Sequence, residues 1–76
     1  KEGSMNFNYQ FAIGDEVRAV KGRQLDMQPE PQFVGLVGTV TEQHILGGSA
    51  FYVVEFHNDD HGKDEDSIDE TCLEKV

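Results

Sequence analysis

Tryptophan is absent from the chain, cysteine occurs once, proline twice, and lysine and arginine together number six among 76 residues. Each shortage excludes something. A single cysteine, Cys72, rules out an internal disulfide and any zinc site built on thiolates, and it fits a reducing compartment. No apolar run approaches the roughly 18 residues of a membrane-spanning helix, and no basic leader precedes an apolar stretch. The sequence therefore reads as cytoplasmic, with no membrane partner. Bases are scarce while acids are plentiful: fifteen against six leave a net charge of −9. Phosphate backbones repel so negative a chain, and no nucleic-acid partner is expected.

What is present is lopsided. Residues 51–76 hold nine acids and two lysines, net −7, against six acids and four bases, net −2, in residues 1–50. Arg18, Lys21 and Arg23 form the one basic cluster. Lys1-Glu2-Gly3-Ser4 ahead of Met5 has the look of an expression scar, so residues 5–76 are read as one domain. A chain this short buries only roughly 60% of its unfolded surface, and oligomerisation would add to a thin core.

Apolar residues recur with period two, and nowhere at helical spacing over ten or more residues. Phe11 and Ile13 lead into the turn pair Gly14-Asp15, and a first strand is expected over residues 16–21. Residues 22–33 carry Asp26, Pro29 and Pro31; Pro-Glu-Pro cannot continue a central ladder, so this reads as a long surface loop. Residues 34–42 read as a strand with Gly35 and Gly38 inside it, marking bends or close backbone approach. Residues 43–50, with Gly47-Gly48, read as a hairpin connection. Residues 51–57 make the clearest strand, Tyr52, Val54 and Phe56 inward and Phe51, Val53 and Glu55 outward. Residues 58–67 read as a polar acidic loop. The expected core is Phe11, Ile13, Val17, Ala19, Leu36, Val40, Tyr52, Val54, Phe56, Ile68 and Leu73, with Phe51, Val53 and Val37 as an outward apolar patch. The fold class these segments predict is all-β, an SH3-like barrel of about five short antiparallel strands.

The pattern Phe11-x-Ile13-Gly14-Asp15-x-Val17-Arg18, then Gly35-x-Val37-Gly38-x-Val40, Tyr52-x-Val54-x-Phe56 and Leu73-Glu74 resembles the SH3-like barrel at the C-terminal end of the nitrile hydratase β subunit. The resemblance spans nearly all of residues 11–74 and consists of general small-barrel signatures. In that enzyme the metal-binding cysteine cluster belongs to the α subunit, so the resemblance implies a supporting, protein-binding role. A second resemblance is to plasmid-borne dihydrofolate reductase, a tetramer around one pore. It rests on Phe11 to Arg18, Ile68 and Leu73-Glu74. Where that family lines its pore with Val-Gln-Ile-Tyr, this chain has Asp66-Ser67-Ile68-Asp69. Those aspartates are a poor setting for an anionic cofactor and substrate.

Chemistry-bearing clusters are few. His57 to Asp66 gathers imidazoles and carboxylates. With Gly62 in the glycine position of a calcium loop, however, His57 and His61 occupy ligand positions and Ile68 the closing one. A solvated acidic loop without a metal is expected. Cys72 has Asp69, Glu70 and Glu74 near it in sequence, which oppose thiolate formation. Gly35-x-x-Gly38 lies within a strand and not before a helix, so it is no phosphate loop. The reading that results is a non-catalytic barrel with no cofactor, binding another protein with a basic surface, and a candidate homo-oligomer. The expected contact residues are Tyr9, Arg18, Lys21, Arg23, Phe33, Phe51, Asp59 and Asp60. The alternative is a homo-oligomeric enzyme subunit whose site lies in a pore between copies.

Overall fold

A computed structural model describes residues 8–22, 27–58 and 62–76. Among these lie five strands: β1 (Glu16–Ala19), β2 (Val37–Leu46), β3 (Ser49–Asn58), β4 (Gly62–Asp69) and β5 (Leu73–Lys75). Two short 3-10 turns accompany them, Pro31–Phe33 before β2 and Glu70–Cys72 between β4 and β5. All pairings are antiparallel, and the sheet order is β4-β3-β2-β1-β5. A four-strand meander whose fifth strand returns after one 3-10 turn to pair with the first is the topology of an SH3-like barrel. The fold class expected from the sequence is the one observed.

β3 shows why the sheet curls around its own side chains. Tyr52, Val54 and Phe56 alternate inward and are fully or almost fully buried. There they meet Val17 and Ala19 from β1, Val40 from β2 and Ile68 from β4. β2 passes too close to β3 at Gly38 for any side chain, since a Cβ would stand 2.7 Å from the Glu55 carbonyl oxygen, and its register shifts at a bulge between Val40 and Glu42. The bulge also moves the outward positions of β2 from Val37 and Thr39 to Glu42, His44 and Leu46, as the register Thr39↔Glu55, Glu42↔Val53 records.

Several expectations are corrected. Residues 43–46 are strand and not hairpin connection, because Gly47 and Gly48 both take positive φ (60° and 82°) and a two-residue turn of that kind joins the strands unaided. Gly35, at φ 90°, lies in the turn ahead of β2. The expected acidic loop is in large part β4; its residues are poor strand formers, yet they pair with β3 from Asn58↔Gly62 to Phe51↔Asp69.

Ile13 is 62% exposed and Leu36 46%, so neither belongs to the core. Gly14, at φ 97°, breaks the alternation after Ile13 while its N–H bonds the Val40 carbonyl. Leu36 sits in a turn closed by its N–H on the Phe33 carbonyl. Their places are taken by Phe33, Ala50 and Cys72, all buried. Phe33 stacks on Phe56 with ring centroids 4.5 Å apart and planes 8° off parallel. The end of the expected surface loop is therefore folded inward. The Asp69 N–H also bonds the Met27 carbonyl at 2.8 Å, which ties that segment to β4.

Candidate functional site

Packed side chains occupy the inward face of the sheet. The outward face of β2, β3 and β4 follows from register. Leu46 closes the tip of the β2–β3 hairpin, His44 stands opposite Phe51, Glu42 opposite Val53, and Ser67 lies across Val53 on β4. His44 and Phe51 stack at 5.0 Å, and the imidazole Nε2 lies 2.7 Å from Glu42 Oε1. Leu46 is 66% exposed, while Phe51 and Val53 are half-buried. An apolar strip thus runs from the hairpin tip down β3.

Two open hollows lie on this side. One, of about 220 Å³, is lined by Glu16, Val37, Gly38, Thr39, Glu55, His57 and Lys63. Its charges are balanced internally, with Lys63 Nζ 3.7 Å from Glu55 Oε1. The other, of about 350 Å³, is lined by Glu42, Val53, Glu65, Asp66 and Ser67, with no basic residue in its wall. Asp66 turns its carboxylate to the Glu30 N–H at 2.9 Å. Burial first, and then the nearby Glu30 charge, push that carboxyl above the usual range despite the hydrogen bond.

Tyr52 anchors the segment before β1. Its hydroxyl donates to Glu70 Oε2 at 2.5 Å and accepts from the Gln10 N–H (3.0 Å) and the Phe11 N–H (3.3 Å). Burial and the Glu70 carboxylate push its pKa up to about 12, so at neutral pH the phenol is a fixed donor and no base. Cys72 is buried, its Sγ packed where a side chain on Gly22 would clash. Among the described residues no group of three His, Cys, Asp or Glu is placed to hold a metal, and no helix is long and apolar enough to cross a membrane.

The expected contact residues do not converge. Phe33 is buried against Phe56, which removes it as a contact: the stacked pair hides both rings from solvent. Tyr9 packs edge-on against Tyr52 at 6.0 Å, near the other end of the inward row of β3. Arg18 is paired with Glu74 at 3.0 Å, and Lys21 is exposed outside the β2–β3–β4 face. Arg23, Asp59 and Asp60 lie outside the described residues, as do residues 1–7. Of the expected patch, Phe51 and Val53 share the outward face, but Val37 is level with Arg18, beyond the Thr39–Glu55 pair. Glu42, opposite Val53 on β2, and Glu65, opposite Glu55 on β4, were singled out by no sequence signal, yet both line the second hollow beside Val53. Placing them on one face needs β4 read as a strand and also the bulge between Val40 and Glu42, which turns Glu42 outward.

No protein-family model, curated protein or solved structure matches the chain. The class of the molecule, an SH3-like barrel, is defined by its strand order.

Proposed function

We propose that this protein is a non-catalytic barrel module of the cytoplasm that binds another protein through the outward face of β2, β3 and β4. The observation that carries this reading is the strip of Leu46, Phe51 and Val53, which stays solvent-accessible beside a buried core. Exposed apolar strips rimmed by polar groups are characteristic of interaction surfaces. A surplus of carboxylates around the strip favours a partner with a basic surface. The packed interior, the buried thiol and a phenol that keeps its proton to about pH 12 argue against a catalytic group within one copy. The resemblance to the nitrile hydratase β barrel, a supporting subunit, agrees with this role.

Photo-crosslinking in cells from position 51 or 53, set against position 13, tests it. One protein species should be captured from 51 and 53 and not from 13. Equal capture from all three positions would refute the reading. Capture of a second copy alone, with light scattering reporting a stable tetramer, would replace it with the homo-oligomeric subunit and its inter-subunit pore.

A further inference from the structure

The two hollows on the outward face differ in one respect that bears on the partner. Both contain carboxylates, but only the first contains a cation. Among the described residues, the lysines and arginines near acids are already engaged elsewhere: Arg18 with Glu74, Lys63 with Glu55, and Lys75 with Asp15. Lys21 does not line either hollow. Among the described residues, Glu65 has no ion-pair partner, and Glu42 meets no lysine or arginine, its near neighbour being the His44 imidazole.

Accepting the protein-binding reading above, we infer that the partner docks on this face by inserting one lysine or arginine between Glu42 and Glu65, with its aliphatic stem along Val53. Three features select that occupant. Glu42 and Glu65 stand on strands two apart and two positions out of level, Glu42 opposite Val53 and Glu65 opposite Glu55, which sets their backbones roughly 12 Å apart, a span that a long side chain can enter with its head between the two carboxylates. The apolar part of the hollow's wall is Val53, on the same face as Phe51, and the methylenes of lysine or arginine cover such surface while the charged head stays with the carboxylates. The hollow also lacks any internal cation that an incoming one would have to displace.

The test uses the full chain and two synthetic probes: a peptide of alternating leucine and arginine, and its counterpart with each arginine replaced by neutral, near-isosteric citrulline. In amide NMR titrations the arginine peptide should shift Glu42, Val53, Glu65 and Ser67. The citrulline peptide should bind about tenfold more weakly, as should the arginine peptide to the Glu42→Gln/Glu65→Gln variant, the loss expected for one charge-assisted contact. Glu16→Gln/Glu74→Gln, which removes the same charge from β1 and β5, should change affinity by less than about twofold.

Equal losses in the two double variants would mean attraction by net charge alone and would overturn the inference, as would shifts centred elsewhere or no saturable binding. Phe51→Ala separates the two levels of the argument. If it weakens the peptide while Glu42→Gln/Glu65→Gln does not, the docking face stands and the cation slot falls. If neither matters, both fall.

Discussion

β3 and β4 are neighbours in one sheet, yet they are strands for different reasons. β3 carries its own instruction: Tyr52, Val54 and Phe56 alternate with more exposed residues, and burying that row leaves no other conformation with comparable gain. β4, Gly-Lys-Asp-Glu-Asp-Ser-Ile-Asp, has a single core side chain, Ile68, and would be solvated coil by composition. It is extended because β3 offers unpaired backbone groups along its whole edge, and a buried edge must be satisfied. The charges on β4 then have a second effect, since a strand this acidic discourages pairing with another sheet. A strand can thus be imposed by its neighbour, and its composition then reports what its outer edge avoids and not what it packs against.

The comparison predicts unequal sensitivity to mutation. Phe56→Ala removes a fully packed ring and the surface on which Phe33 stacks, and should cost about 4 kcal/mol in urea unfolding. Ile68→Ala, the one comparable deletion in β4, should cost about 3 kcal/mol. If it costs under about 1 kcal/mol, β4 is held by its backbone pairing alone and the contrast sharpens further.

Tyr52→Phe leaves β3 packed but deprives the Gln10 and Phe11 N–H groups and Glu70 of their shared partner. A loss of about 2 kcal/mol is expected at neutral pH, with faster hydrogen exchange in residues 8–11. The wild type has a further signature. Its phenol is held above the ordinary value of 10.0, at about 12, so the fold favours the neutral form. That stability is fully present below pH 10 and is lost as pH rises through 12. Alkaline unfolding followed by tyrosinate absorbance should show this decline in the wild type and not in Tyr52→Phe.

The smallest effects belong to β4 and to the turn before β1. Asp66 is raised, so its contribution is present in acid and declines as pH climbs through its folded value. Asp15 is lowered by the Ala12 N–H and then by Lys75, so its contribution is present above 3.8 and is lost as pH falls through its folded value. Asp66→Asn should flatten the first trend and Asp15→Asn the second, in opposite directions across an acid titration of stability. Trends of the same sign would mean that Asp66 is as well solvated as the rest of β4, and would break the picture of a strand partly drawn beneath the Glu30 segment.

Local rules in this chain are readable because they need no partner. Gly47-Gly48 turns a hairpin by backbone freedom alone, Gly14-Asp15 begins a turn, and the alternation around Tyr52 assigns β3 two faces whatever lies beside it. The same rules mislead at Ile13 and Leu36. There, turns whose hydrogen bonds reach Val40 and Phe33 decide where the side chain points. They are silent on Phe33, whose burial depends on stacking against Phe56, twenty-three positions further along the sequence. The candidate site falls on the silent side as well. Glu42 and Glu65 are also twenty-three positions apart and line one hollow only because their strands pair on either side of β3.

By itself, the sequence determined that this is a small acidic β domain without a disulfide, with β3 at its centre and tight glycine turns, because period-two burial and positive φ are properties of a few adjacent residues. Only the tertiary structure decided that the acid-rich segment is a strand, that Phe33 is core, and that Glu42 and Glu65 line one hollow with Val53. Hydrogen-bond satisfaction along a sheet edge and proximity across a strand are properties of two or more segments at once, and no single segment encodes them.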